Sequence, residues 1–410
     1  MSLNYKNLLV VIPTRNRAEL AINAINSVLS QENCELELIV SDNSTDDTEV
    51  LKLADYCHQS DDKRLCYIRP PKPLPMTEHW NWAMQQALQI SQSNHVTYLT
   101  DRLLFAKNSL QNLQSILTKH PDKIVSYTFD SIEDSEFPVS LTQTRYTGKL
   151  FEIESSSILK LYAEMERIQA LPKMLNSVAS RGLMTKIFEK YGNYFYSVSP
   201  DYNLAFRSLD LEESILYYDR PLLISYGNNR SNGWNVLQGN FNQDALDFIN
   251  NLNSTEICFD SPVKAIWVLP NAIIHEYCYA KPHAVSDKFP EINQNKYLLS
   301  LVENVVSYKN EKMREEMLKK LRAGLGTDLV KYRAQATIER KLKGLKVKLH
   351  NLANSSTPYL LKHNFENVED AINYATDSPR KPVSDFKLIE DRTGAKPSEQ
   401  GPVKVLKDFP

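Results

Sequence analysis

The chain has 410 residues, 42% hydrophobic and 24% charged, which excludes a chain disordered throughout and suffices to bury a core. Its 48 Lys and Arg against 50 Asp and Glu leave a net charge of −2, so the overall balance gives no argument for a nucleic-acid partner. Glycine is scarce, 11 residues with the first at Gly148, so the N-terminal part holds neither a dinucleotide fingerprint nor a P-loop, and classical NAD enzymes and P-loop kinases are excluded.

Residues 8–12, a run rich in β-branched residues with no polar interruption, read as a buried parallel strand that Pro13 ends. Helical spacing follows over 18–30, then a strand over 36–40 and a polar loop from Ser41 to Asp47 that closes on a helix N-cap. A helix over 48–59 and a strand over 65–68 lead to a turn rich in proline (Pro70, Pro71, Pro73, Pro75). A helix from about Met76 to Ser91, a strand over 95–99, a helix over 107–118 and a strand over 123–128 complete the alternation. That alternation predicts an α/β fold, an open, mostly parallel sheet flanked by helices. Beyond about 130 the period loosens. Residues 155–190 read as largely helical, a helix opens at Ser199-Pro200-Asp201, and a strand covers 215–225 before a polar loop from Gly227 to Gly233. From 236 to about 350 the pattern is helical, and from about 376 prolines and charges predict a flexible tail. The expected organisation is one domain over 1–235, its halves meeting near 130, a helical C-terminal extension over 236–350 and a tail over 351–410.

The five cysteines (34, 57, 66, 258, 278) are scattered and include no C-x-x-C pair, which predicts reduced thiols and no zinc site. His275-Glu276 opens like a zinc-protease motif, but position 279 is Tyr, so His275 reads as a histidine at the edge of the core. No apolar run approaches the roughly 18 residues of a membrane span, and Leu8–Ile12 is too short for a signal sequence. The expected location is cytoplasmic, with the inner face of a membrane as an alternative. Residues 309–350 hold thirteen Lys or Arg and five Asp or Glu, and Ile338, Leu342, Leu345 and Leu349 share one helical face there. Two readings stay open: peripheral contact of 331–350 with an anionic membrane, or packing of the Leu stripe on the catalytic domain.

In an open α/β sheet, ligands bind outside the carboxyl ends of the strands. Three polar loops fall there: Pro13-Thr14-Arg15-Asn16-Arg17, Ser41-Asp42-Asn43-Ser44 and Thr100-Asp101-Arg102. They offer hydroxyls, amides, carboxylates and guanidinium groups. Without glycine, phosphate has to be held by side chains, helix N-termini or a metal. Each loop alone reads as a solvated turn; three on one sheet edge read as a site.

Val10 to Arg17, followed by Ile39 to Thr48, the helix His79-Trp80-Asn81-Trp82-Ala83 and the strand Val96–Leu99 with Asp101, resemble glycosyltransferase family 2, whose members have the GT-A fold. The resemblance spans about 7–105 strongly and 195–235 weakly. It implies a nucleotide-sugar donor bound by Pro13, Thr14, Arg15, Asn16, Arg17 and Asn43, with Asp42 on the base or ribose and Asn81 near the diphosphate. It further implies Asp201 as the general base on the acceptor hydroxyl, with inversion, though Asp at a helix start is also a common cap. Asp101 falls where the family has two or three consecutive aspartates holding Mg²⁺ or Mn²⁺. Here one carboxylate stands beside Arg102, so a metal on Asp101, neutralisation of the leaving diphosphate by Arg102, and a simple Asp101–Arg102 salt bridge are all open. In the loop after 215–225, Arg230 reads as a phosphate ligand and Trp234 as a sugar platform, or both as parts of a packed surface loop. The expected function is a hexosyltransferase-type glycosyltransferase acting on a glycan or lipid-linked acceptor, with no NAD, haem or zinc. The alternatives are a non-catalytic nucleotide-sugar binder and a sugar nucleotidyltransferase, the latter lacking its usual glycine-rich opening loop.

Overall fold

The structure is a computed structural model and describes residues 8–231, 235, 259–264, 266–353, 360–378 and 380–406. Its first half alternates β1 (Leu8–Thr14), α1 (Ala18–Leu29), β2 (Leu36–Asp42), α2 (Asp47–Gln59), β3 (Leu65–Ile68), α3 (Met76–Ile90) and β4 (His95–Tyr98). The four strands are parallel in the order β3-β2-β1-β4, and β1 is buried along its whole length. Pro13 does not end β1, which stays in register with β2 through Thr14 opposite Asp42. The Val11 carbonyl faces β4, accepting from the Leu99 N–H, and the Thr14 carbonyl accepts from Asn43 on the β2 side. Pro13 therefore turns its nitrogen to the β4 side, beyond the last residue of that strand, where no donor is missed.

The second half continues with β5 (Leu103–Phe105), α4 (Ser109–Lys119), β6 (Val125–Glu133), β7 (Val139–Thr144), β8 (Leu150–Glu154), α5 (Ser155–Ala163), β9 (Ser177–Ser180), α6 (Arg181–Tyr191), α7 (Pro200–Leu211) and β10 (Ser214–Ser225). β9 runs antiparallel between β4 and β6 and joins the two halves; β10 is parallel to β6. The sheet is thus parallel over β1 to β4 and mixed beyond them. The reading of 155–190 as largely helical is corrected by β9, whose four residues Ser-Val-Ala-Ser are too few to show a strand period.

Then come α8 (Leu269–Ala280), α9 (Gln294–Val306), α10 (Glu311–Leu325), α11 (Asp328–Ala353), β11 (Leu360–Phe365), α12 (Val368–Asp377), α13 (Lys387–Thr393) and β12 (Val403–Val405). The helices α9 to α11 share a core of Tyr297, Leu301, Val302, Met317 and Leu321. α8 faces both ways: Ile274 enters that core, whereas Ile273 and Tyr277 enter the core beneath the sheet. In α11, Leu329, Tyr332 and Ala336 are buried, but Ile338 and Leu342 are 58% and 50% exposed, so these two do not pack on the catalytic domain. Among the described residues no helix is long and apolar enough to cross a membrane.

A flexible tail from about 376 is not what the structure has. β12 adds to β8 as an edge strand, and Ile389 and Val403 are fully buried. Arg392 donates to the buried Asp219 carboxylate and to the Arg145 carbonyl. Arg380 pairs with Asp130 at 2.7 Å. Gly394, at φ +81°, lies so close to Leu161 that a Cβ would overlap it. The charges that suggest disorder in sequence are the ones that enter buried pairs.

Candidate active site

The carboxyl ends of β1 and β4 open into a cleft of about 430 Å³, a volume in the range of small-molecule sites. Its lining comes from the loop after β1 (Pro13 to Arg17), from Asn43 and Thr45 after β2, and from Thr100, Asp101 and Arg102 after β4. Val198 to Asp201 at the start of α7, Arg230 and Ser231 after β10, and Trp267 to Leu269 with Ala272 at the start of α8 complete it.

The loop after β1 takes its sharp turn without glycine. Asn16 is left-handed (φ +54°), a conformation Asn tolerates better than most residues. Its Oδ1 accepts from the N–H groups of Thr45 (2.8 Å) and Asp46 (3.1 Å), its Nδ2 donates to Thr45 Oγ1 (3.0 Å), and its own N–H donates to Ser44 Oγ (2.8 Å). The loops after β1 and β2 are thereby stitched together. Glu49 accepts from the Ala18 N–H at 2.6 Å and so caps α1, whose preceding residue Arg17 makes no side-chain cap. Asn43 does the same for the proline-rich turn, donating to the Leu74 carbonyl (2.8 Å) and accepting from its N–H (2.9 Å).

Asp101 is 3% exposed. Its Oδ2 accepts from the Thr14 hydroxyl at 2.9 Å and its Oδ1 pairs with Arg17 Nη1 at 3.5 Å. This donor set offers a divalent cation one carboxylate. The one carboxylate already serves a hydroxyl and a guanidinium, and its chain neighbour is a second guanidinium. Among the described residues no group of three or more His, Cys, Asp or Glu could hold a metal ion. A hard cation held there would take its remaining oxygens from substrate phosphates and water. Arg102 lies against Gly227, which is left-handed at φ +66°, and its Nη1 donates to the Tyr226 carbonyl at 3.4 Å. Asp134 fixes that turn by accepting from the N–H groups of Gly227 (2.8 Å) and Asn228 (3.0 Å). Burial lowers the Arg102 pKa from its very high ordinary value, with Asp101 opposing the shift. Arg230 is exposed and its Nη2 donates to the Asn16 carbonyl at 3.1 Å. Trp234 lies outside the described residues.

Two expected donor ligands sit elsewhere. Asp42 is fully buried and off the cleft lining: its oxygens accept from the Tyr67 hydroxyl (2.7 Å) and the Ser44 N–H (2.8 Å), with Arg69 at 3.6 Å. Asn81, also off the lining, bonds the backbone of Tyr194 and Phe195 and so ties α3 to the segment before α7. Asp201 does line the cleft. It is not the N-cap of α7, a position held by Ser199 with Pro200 following, but sits in the first turn. Burial raises its carboxyl above the ordinary range, while the positive charge of Lys173 and the nearby backbone N–H groups oppose the rise.

Three groups escape sequence reasoning. His79 lines the cleft and meets Ser41 Oγ at 2.8 Å; burial and the charge of Arg15 push its pKa down to about 3, so the imidazole is neutral. The signal was its place in the His79–Ala83 motif. Trp267 lines the cleft from a segment that reads as a helical extension. His275-Glu276 reaches the α7 start from α8: Glu276 accepts from the N–H groups of Val198 (3.0 Å) and Ser199 (2.7 Å) and from Asn203 Nδ2 (3.0 Å). His275, expected at the core edge, is fully buried, accepting at Nδ1 from the Asp260 N–H and meeting Ser197 Oγ at Nε2.

Residues 9–192 match the family model for glycosyl transferase family 2. No curated protein matches the chain. Among solved structures, S. aureus TarS 1–349 aligns at 13% identity and a TM-score of 0.43, covering 82% of this chain and 91% of that one. The same S. aureus protein in complex with UDP-GlcNAc aligns at 14% identity and 0.43, covering 82% and 92%. The family likeness thus lies in residues 9–192, the part that holds β1 to β9 and the loops after β1, β2 and β4.

Proposed function

We propose that this protein is a family 2 glycosyltransferase that moves a sugar from a nucleoside-diphosphate sugar to an acceptor hydroxyl, with inversion at the anomeric carbon. The observation that carries the reading is that one cleft holds both a guanidinium-rich set, Arg15, Arg17, Arg102 and Arg230, and a half-buried carboxylate, Asp201. Guanidinium forks match phosphate oxygens and stay charged, so they can bind the diphosphate and stabilise it as it leaves. Asp201 takes the proton from the attacking hydroxyl as the new bond forms and the bond to the diphosphate breaks. Its raised pKa makes it a stronger base, and the charge of Lys173 favours the ionised form it needs. Asp101 is already engaged by Thr14 and Arg17, and no step is assigned to Mg²⁺ or Mn²⁺. Trp267 offers an aromatic face to a sugar. The acceptor is a glycan or lipid-linked hydroxyl. The exposed Ile338 and Leu342 on the basic helix α11 support peripheral contact with an anionic membrane, and the free thiols Cys34, Cys57, Cys66 and Cys278 support a reducing, cytoplasmic location.

The test is to incubate the full chain with a panel of nucleotide sugars and follow release of the nucleoside diphosphate. One donor should be turned over, and Asp201→Asn should retain donor binding while losing about 10²–10⁴-fold in turnover. Nucleotide binding with no release from any donor, with or without candidate acceptors, points instead to a non-catalytic binder.

A further inference from the structure

We infer that Glu276 is a positioning residue for Asp201, an inference that rests on the reading of Asp201 as the base. Glu276 lies on α8, outside the segment that the family model matches. Its side chain is 0% exposed, an expensive place for a carboxyl group unless hydrogen bonds compensate. Three do, and they share a destination. Val198 and Ser199 immediately precede α7, and Asn203 lies in its first turn, so the donors to Glu276 bracket Asp201. Ser199 makes no side-chain cap of its own, and its N–H and that of Val198 are satisfied from a different helix. Ser197 adds a second sign of constraint. It is left-handed at φ +63°, costly for a residue with a Cβ, and is held by His275 at its hydroxyl and by Thr77 Oγ1 donating to its carbonyl at 2.7 Å. An apolar residue at 276 would fill the core more cheaply but would leave these N–H groups without partners. The carboxyl fixes the entry of α7, and that entry fixes where the Asp201 oxygens stand in the cleft. Displacement of a catalytic group by about 1 Å is enough to cost roughly 10²-fold.

The experiment compares Glu276→Ala, Glu276→Gln and Asp201→Asn in the full chain by kcat, donor KM, the pH dependence of kcat/KM and thermal melting. Glu276→Ala should lower kcat by about 10²-fold with donor KM little changed. It should also move the acidic limb of the pH profile to lower pH, because an unheld Asp201 turns toward water and loses the burial that raises its pKa. Gln keeps an acceptor for Val198 and Ser199, and its amide can donate to Asn203 Oδ1, which has no partner among the described residues. Glu276→Gln should therefore recover most of the turnover. A merely structural role would lower the melting temperature but leave kcat per folded molecule and the acidic limb unmoved, and that result overturns the inference. If Glu276→Ala does not fold, Asn203→Ala removes one of the three donors and is read in the same way. An inactive Asp201→Asn beside a normal Glu276→Ala removes the positioning role alone; an active Asp201→Asn removes the base and this inference with it.

Discussion

Replacing Arg392 by Met tests whether the C-terminal segment is locked onto the catalytic core. The Arg392 side chain is 5% exposed and Asp219 is fully buried, so the substitution strands a carboxylate where water does not reach. Removing one partner of a buried pair costs about 3–5 kcal/mol. Asp219 keeps three neutral donors, the Thr147 N–H (2.6 Å), the Thr147 hydroxyl (2.8 Å) and the Tyr217 hydroxyl (3.1 Å), which puts the loss at the lower end. The Arg145 carbonyl also loses a donor, worth about 1 kcal/mol. A total of about 4 kcal/mol corresponds to a fall of roughly 8–16 °C in Tm for a domain of ordinary size. Scanning fluorimetry of the full chain reads the shift, and timed proteolysis should show new cleavage within 380–406. Adding Asp219→Asn should restore part of the loss, since neutral groups in place of a buried pair are often no worse. A Tm within 2 °C of wild type (roughly 0.5–1 kcal/mol) together with an unchanged digestion pattern would refute the lock.

Turnover should survive EDTA and gain nothing from added Mn²⁺, whereas Arg17→Ala and Arg102→Ala should each lower kcat by about 10²–10³-fold. Nucleoside diphosphate affinity measured by calorimetry in EDTA gives a second readout, and chelator-abolished binding would reject the guanidinium account. Asp201→Asn should melt above wild type at pH 7: burial raises the folded-state pKa, so the stabilising proton is bound below the unfolded pKa and lost as pH rises through the folded one. The gap should close as the pH falls below the ordinary carboxylate range, and a lower Tm for the variant at pH 7 would contradict the assigned burial. Asp42→Ala should destabilise the fold by about 1.5–3 kcal/mol, since it strips the Tyr67 hydroxyl and the Ser44 N–H of their acceptor; an unchanged Tm in urea or heat would count against that network.

The donor half was legible because its signals are local. Leu8–Ile12 is an unbroken apolar run and Leu36–Val40 an apolar run broken only by Glu37, Asp46 accepts from Thr48 and Glu49 as its place before α2 suggests, and the three polar loops follow from strand ends. Partner choice was not legible. The position of Asp42 pointed to a ligand contact, but the Tyr67 hydroxyl on β3 takes one of its oxygens, and nothing near Asp42 in sequence announces that. Asp101 and Arg102 are adjacent in sequence, yet Asp101 bonds Thr14 and Arg17, 87 and 84 residues away. Glu276 meets the α7 start across 77 residues at Ser199 and Arg392 meets Asp219 across 173, separations at which periodicity carries no information.

The Asn16 stitch also determines how a ligand is met. A glycine-rich phosphate loop samples many shapes and surrenders that freedom when an anion arrives. Here five residues, Asn16 and Ser44 with Thr45, Asp46 and Glu49, tie the two loops together through the protein's own hydrogen bonds. The ordering entropy of binding then falls mainly on the ligand, and capture is limited by encounter more than by closure of the loop. The same rigidity narrows what the loop can become: a single change at Asn16 disturbs both strand ends at once, so adaptation to a different donor has to proceed through the outward-facing arginines around the stitch.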